Sequence, residues 1–364
     1  SDTIRKRLES EYGLSNAQVI LNSSHTNSGP VLKNALVDIY PLNPEQQEQI
    51  EQYTTQLENQ IVELVGKSLD SMEQAEIFAG NGTSRFQVNR RNNDAATLER
   101  QTELNGPNDY AVPVIKVIDE AGELMAIAFG YACHPTVLSQ YEWSGDYAGF
   151  AQLELEEAYP GVTTLFFQGA GADQNPLPRR SEALAQQYGR TLAAAVDRVL
   201  NEDMHRLSPS LTTAYTEVDL QLTAPPSREE LMEIQDEASG YQKRWADRML
   251  RKIERGDSFM ESYPYPVQVW QLDDQMMVSL GGELVIDYAI ELKRMFGQEL
   301  FILGYSNDVM AYIPSTRILM EGGYEGETSQ MVYGLPSVWK ADIQTTILHE
   351  VVQLAKEAGI SPPD

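Results

Sequence analysis

Apolar positions recur at helical spacing over residues 2–12, 43–68, 146–159, 180–200, 284–296 and 342–358, and these stretches predict helices. Pro44 falls in the first turn of the second, where its missing N–H costs nothing. Short apolar runs between them predict strands: 18–24, ending at His25; 163–168; and 300–303. Residues 114–132 read as a hairpin turning at Glu120-Ala121-Gly122, and 267–272 with 275–280 as a second, turning at Asp273-Asp274. Residues 75–94 read as polar and irregular. The stripe Leu231, Ile234, Ala238, Tyr241, Trp245 and Met249, broken by Gly240, predicts a helical hairpin or lid over 227–256 whose apolar positions pack as core. With no internal repeat or low-complexity linker, one domain over 1–364 is expected. Strands alternating with helices predict an α/β fold with a mixed, mostly parallel sheet flanked by helices. In such sheets ligands gather at the carboxyl ends of the strands.

That rule singles out the residues directly after the apolar runs. They present His25, His134, Asp173, Glu283 and the loop from Tyr305 to Tyr312. Two neutral imidazoles and a carboxylate suffice to hold a catalytic zinc with a position left open for water. A single histidine after a strand is ordinarily a hydrogen-bonded structural residue. Two of the chain's four histidines in matching contexts shift that balance. The bland alternatives are a helix-start acid for Glu283, a turn residue for Asp173 and an aromatic packed beside Pro314 for Tyr312.

Composition narrows the partners. With 54 acidic and 27 basic residues, the formal net charge of -27 repels phosphate backbones and anionic lipid, so no nucleic-acid partner is expected. No apolar run reaches the roughly 18 residues of a membrane helix, and no signal peptide is read. The 42% hydrophobic content over 364 residues is ample for a core. A single cysteine, Cys133, excludes an intrachain disulfide and any multi-cysteine zinc site. It is expected to be buried and inert, since neighbours along a strand face opposite ways and Cys133 cannot pair with His134.

Other motifs fail. His349-Glu350 starts a zincin helix but lacks the second histidine, and is expected on a helix surface. The Gly169 to Ala172 loop lacks the third glycine of a dinucleotide-binding turn, and no Gly-x-Ser-x-Gly elbow occurs.

The sequence resembles the neutral/alkaline ceramidase family of zinc-dependent amidases. His25-Thr26-Asn27-Ser28-Gly29-Pro30 is similar to that family's His-Thr-His-Ser-Gly-Pro, and Tyr131-Ala132-Cys133-His134-Pro135-Thr136 to its strand ending in a second zinc histidine. Ser144-Gly145-Asp146-Tyr147, the loop Phe167 to Pro176, Gly281-Gly282-Glu283, and Ser306 to Ser315 followed by Tyr324-Glu325-Gly326 also match, in order. The resemblance implies zinc (Zn2+) held by His25, His134, Glu283 and Tyr312, with a bound water attacking an acyl carbon of a lipid-like amide or ester. It implies a sphingolipid-type role and a secreted or periplasmic compartment. It further implies Asp146 or Asp173 as a supporting or proton-shuttling acid, and Asn175, Tyr305 and Asn307 as substrate contacts.

The departures set competing expectations. Asn27 stands where the family has a catalytic histidine, and an amide can orient but not transfer a proton. The family's substrate arginine aligns with Asn81-Gly82-Thr83, leaving Arg85, Arg90 or Arg91 as substitutes; Arg85 is taken first. Asn175 replaces a hydroxyl residue. The family's opening strands and C-terminal immunoglobulin-like domain have no counterpart, which implies a short relative or a fragment. The alternative is a catalytically weakened protein that binds metal and a lipid or glycan-like ligand. The blandest reading leaves the histidines structural, with no metal.

Overall fold

The computed structural model describes residues 1–360, the side chain of Glu99 excepted. Helices α1 (Asp2–Tyr12) and α2 (Pro44–Asp70) pack together through Ile4, Leu8 and Val62. Then come β1 (Ala75–Thr83), β2 (Gln87–Asn89), β3 (Ala111–Asp119), β4 (Leu124–Tyr131), α3 (Asp146–Ala158), β5 (Thr163–Gln168), β6 (Gln174–Pro176), α4 (Glu182–Leu200) and β7 (His205–Leu207). The second half runs β8 (Leu211–Gln221), α5 (Arg228–Glu237), α6 (Gly240–Arg255), β9 (Ser262–Leu272), β10 (Gln275–Leu280), β11 (Glu283–Leu284), α7 (Ile286–Phe296) and β12 (Phe301–Leu303). It closes with β13 (Tyr312–Ile313), α8 (Thr316–Glu321), a π-helical turn (Tyr324–Thr328), α9 (Ser329–Val332) and α10 (Ile343–Glu357).

Two sheets, ordered β5-β4-β3-β1-β7 and β12-β10-β9-β8, form the middle layers. Ala79 and Phe167 of the first meet Met277, Phe301 and Leu303 of the second. The outer face of the first buries Ile127, Phe129 and Tyr131 under Tyr147 and Leu155 of α3 and Leu192 and Val196 of α4. The outer face of the second buries Val267, Val269 and Val278 under Ile286 and Leu292 of α7 and Ile347 and Val351 of α10. The result is helices, sheet, sheet, helices.

The α/β class and mixed sheets are as expected, but parallel pairing is scarcer. It occurs in β4–β5, β10–β12 and β11–β13, while the remaining pairs are antiparallel. These parallel pairs matter most, because β4, β5, β10 and β12 all end on the same side, where the loops carrying His134, Asp173, Glu283 and Tyr305 begin.

Two expectations fail locally. Residues 75–94 are not irregular but hold β1 and β2, and β1 pairs along its whole length with β3. Its polar look has a packing cause: a methyl on Gly82 would meet Val199 of α4 at 2.7 Å, so the strand is stripped of side chains where the helix lies closest. The expected strand at 18–24 is absent apart from a bridge between Asn22 and Ser306. The Asn22 side chain does the pairing instead, donating to the carbonyl oxygens of Gln168 (3.2 Å) and Gly304 (2.7 Å) and accepting from the Gln168 amide at 2.8 Å. One asparagine thus ties the segment leading to His25 to the ends of both sheets.

Helices α5 and α6 pack around Leu231, Trp245, Met249 and Leu250. Arg248 pairs with Asp38 at 2.6 Å, and the Trp245 indole donates to the Leu335 carbonyl at 2.9 Å. Cys133 is fully buried and burial pushes its thiol well up, while His349 lies exposed on α10.

Candidate metal centre

Glu283 and Tyr312 are register partners in the short parallel pair β11–β13, which sets their side chains next to each other on one face. His134 follows β4 by three residues. Its backbone amide donates to the Gln174 carbonyl at 3.0 Å, and its Nδ1 lies 2.8 Å from the Gly171 carbonyl oxygen. Gly171 has to be glycine for this approach, since a Cβ there would meet the Cys133 amide nitrogen at 2.6 Å. His25 arrives from the chain's start with φ 59°, and its ring lies against Tyr305, itself at φ 51°, with centroids 4.8 Å apart. Left-handed residues other than glycine cost about 1–3 kcal/mol each and persist only where the surroundings hold them. Here the Ser23 amide donates to the Tyr305 carbonyl, and the Tyr305 amide to that of Gly282.

These elements converge on Glu283. Its Oε1 lies 3.3 Å from His25 Nε2 and its Oε2 lies 3.0 Å from His134 Nε2. The Tyr312 hydroxyl sits 3.4 Å from the same His134 nitrogen, the two rings stacked at 16°. Ligand atoms of His25, His134 and Glu283 all lie within 4.8 Å of one another.

The tautomer decides what this arrangement can hold. A carbonyl oxygen only accepts, so the contact with Gly171 puts the proton on His134 Nδ1 and leaves a lone pair on Nε2. That lone pair faces a carboxylate oxygen at 3.0 Å, so the gap is stable only with a cation or a second proton inside it. Burial opposes the proton, holding the His134 pKa below its ordinary value despite Glu283. Burial also pushes the Glu283 carboxyl up, yet His25 and His134 outweigh it and hold the carboxyl well below the usual carboxylate range. An ionised carboxylate, 2% exposed, with the His134 lone pair facing one oxygen and His25 Nε2 the other, fits a small divalent ion.

Further side chains surround the centre. Arg90, directly after β2, donates to the Tyr312 hydroxyl at 3.2 Å and to Glu325 Oε1 at 2.7 Å, with Arg91 on Glu325 Oε2 at 2.7 Å. Tyr333 donates to Glu283 Oε1 at 2.5 Å. The Tyr324 ring meets that of Tyr312 at 5.3 Å. Sequence reasoning missed Tyr333 and weighed Arg90 only as a substitute. No motif marked either, although the Tyr324-Glu325-Gly326 segment signalled that this region turns toward the site.

The other expected site residues divide. Tyr305 joins the cluster, its hydroxyl 3.4 Å from Glu283 Oε2. Asn27 lies exposed, its backbone N–H donating to the carbonyl of Pro135 beside His134 at 3.4 Å. Asn175 is buried next to the Gln174 carbonyl that fixes His134, and its Oδ1 has no hydrogen-bond partner among the described residues. Arg85 is exposed over the Tyr110 ring, and Arg90 rather than Arg85 stands at Tyr312. Asn307 is spent on structure: it exchanges bonds with Leu21 and donates to Gln268 at 2.7 Å. Asp146 gives its two oxygens to the amides of Leu138 (2.8 Å) and Tyr147 (2.7 Å), which shapes the loop after His134.

Asp173 is fully buried, accepting from the Ile286 amide at 2.9 Å and from the Asn89 side chain at 3.0 Å. Burial pushes its pKa up to about 6. A carboxyl raised in the fold binds its proton better folded than unfolded, so its contribution to stability is complete below about pH 4 and lost as the pH passes 6. Asp173→Asn should remove that slope. Thermal midpoints of parent and variant, measured from pH 4 to 7, are expected to shift against each other by several degrees in the variant's favour. Parallel profiles would contradict it.

No protein-family profile matches the sequence, and no curated protein does. Among solved structures, the chain is similar to a ceramidase complexed with C2, with a TM-score of 0.71 and 14% identity over 99% of this chain and 66% of the other. It is similar also to the neutral ceramidase from Pseudomonas aeruginosa, with a TM-score of 0.69 and 17% identity over 100% and 66%. The chain therefore has a ceramidase-like fold and spans 66% of the length of these structures. Among the described residues, no helix is long and apolar enough to cross a membrane.

Proposed function

We propose that the chain is a zinc-dependent hydrolase that cleaves the amide, or an ester, of an acylated lipid-like substrate. The observation that carries this is His134, whose Nδ1 is committed to Gly171 while Nε2 faces the ionised Glu283 at 3.0 Å. His25, His134 and Glu283 would hold the ion, with Tyr312 as a fourth ligand. Bound there, zinc would supply Lewis-acid polarisation of an acyl carbonyl and lower the pKa of water. The chain's own groups do the rest. Tyr333 would orient Glu283, and Arg90, charged, held by Glu325 and donating to the Tyr312 hydroxyl, would stabilise negative charge developing on the carbonyl oxygen. The ceramidase-like fold supports an N-acylated lipid as the amide in question.

A specific observation favours a second reading, a weakened relative that binds metal and ligand with little turnover. Asn27, exposed two residues after His25, stands where the resemblance places a histidine, and positioned acid–base groups contribute about 10²- to 10⁴-fold. Parent and Asn27→His should be compared on a panel of acylated amines, with metal content measured alongside. We expect measurable metal-dependent cleavage by the parent and a gain of at least about tenfold in the variant. A parent that cleaves nothing beside an active variant would establish the second reading. Inactivity of both would sink the hydrolase.

A further inference from the structure

A second group of metal-ligating side chains lies far from the candidate centre. His205 Nε2 is 2.8 Å from Asp274 Oδ1, and ligand atoms of His205, Asp273 and Asp274 all lie within 4.8 Å of one another. The three come from different layers of the fold. His205 opens β7 at the edge of the first sheet, while the two aspartates make the turn between β9 and β10 of the second. That turn stands at the start of β10 and Glu283 beyond its end, so the six residues of β10, about 20 Å, separate this group from the candidate centre.

The chain does not balance the charges gathered here. Two carboxylates adjacent in sequence share one imidazole, and no lysine or arginine among the described residues pairs with either. Neighbouring like charges disfavour each other, and an exposed His–Asp contact contributes little by itself. Asp273 is held in place nonetheless. Its Oδ2 accepts from the Ser208 amide at 2.8 Å, its own amide donates to the Ser210 carbonyl at 2.7 Å, and the Gln271 side chain donates to its carbonyl at 2.6 Å. These bonds fix the residue at φ 54° and leave its Oδ1 for another partner. They also tie the turn to residues 208–210, the segment that carries the chain from β7 in one sheet to β8 in the other.

We propose that His205, Asp273 and Asp274 form a second divalent-metal site, which pins the β9–β10 turn of one sheet to the edge strand of the other. One imidazole nitrogen and two carboxylate oxygens are a donor set that suits zinc, with water on the open position. An ion here neutralises both carboxylates and joins the two sheets at the end of the fold away from the candidate centre. Its role is structural. The side chains of His205 and Asp274 are 58% and 67% exposed, so the ion exchanges with the buffer and is read with added metal rather than in the metal content of the purified chain. The site is independent of the hydrolase reading above.

Zinc titrated into dialysed protein, followed by calorimetry and by the thermal midpoint, tests it. The cleanest background is His134→Ala, which opens the first centre. There one zinc per chain is expected to bind, and zinc at about a hundred times its dissociation constant should raise the midpoint by about 2 °C or more. Adding His205→Ala should weaken that binding at least about tenfold and remove most of the rise. Adding Asp273→Asn should do the same, since asparagine tolerates the left-handed backbone and still accepts from Ser208 but brings no charge to the ion. Where His134→Ala does not fold, the comparison is made in the parent, and His205→Ala should then bind one zinc fewer than the parent. Zinc binding and midpoints unchanged by both substitutions, or no zinc taken up in the His134→Ala background, would overturn the site. Neither result bears on hydrolysis, because every protein in that background lacks His134.

Discussion

Substituting His134 by alanine is expected to lose the bound metal and about three orders of magnitude or more of hydrolysis, while leaving the chain folded. The metal loss follows from geometry. His134 is the one candidate ligand whose free nitrogen is fixed by a backbone partner, and Nε2 lies within 3.4 Å of both Glu283 and Tyr312. Removing it opens the shell on the side where the other donors meet. The rate loss follows from the several kcal/mol of charge stabilisation a metal supplies, each 1.36 kcal/mol being tenfold. The fold should survive because the residue's backbone amide bond to Gln174 is kept and a neutral imidazole is removed rather than a charge. Metal analysis by mass spectrometry, with circular dichroism as the folding control, decides it. A variant that keeps one zinc per chain, or a parent that purifies without any and acquires none, would return the histidines to a structural role.

How much of this could be read in advance depended on where each residue sat. Runs such as 163–168 and 275–280 were legible because an apolar strand followed by glycine has few other readings, and both strands end where they were expected. His134, Glu283 and Tyr312 were legible because each follows such a run or sits in a matching motif. The strand before His25 was not, since the pairing that a strand would supply comes from one asparagine side chain. Asp146 is a candidate through the resemblance alone, and Asp173 and Asn307 also through the loops that follow apolar runs. Backbone amides consume Asp146 and part of Asp173, and Asn307 is tied to Leu21 and Gln268; no sequence pattern announces such bonds. Arg90, weighed only as a substitute, and Tyr333, marked by no motif, both lie at the candidate centre in the fold. Both come from stretches without apolar periodicity and reach the centre through folding over more than 200 and 50 residues respectively, as their partners Glu325 and Glu283 show (sequence separations of 235 and 50).

The second large effect should come from Arg90. Arg90→Leu is expected to lower stability by about 3 kcal/mol and to depress hydrolysis by a further, separable factor. Breaking one side of a buried ion pair costs about 3–5 kcal/mol because the partner charge is left without compensation. Glu325 is only 3% exposed at its side chain, so water cannot take Arg90's place; Arg91, still on the other oxygen, keeps the loss at the low end. Burial disfavours the Arg90 charge, but Tyr312 and Glu325 more than restore it and hold its pKa above the ordinary value, so the bridge persists at every working pH. Removing Glu325 as well should recover part of the stability, since the stranded carboxylate goes with it, yet should recover none of the activity, because the donor to the Tyr312 hydroxyl is still missing. Arg90→Lys separates the two roles from the other side. It keeps the charge but cannot serve Glu325 and Tyr312 at once in the fixed fork of a guanidinium, so it should lie near the parent in stability and near Arg90→Leu in rate. Chemical denaturation and kcat/KM on the same four proteins test the scheme. Activity that rises and falls in step with stability across the set would mean that Arg90 only holds the fold.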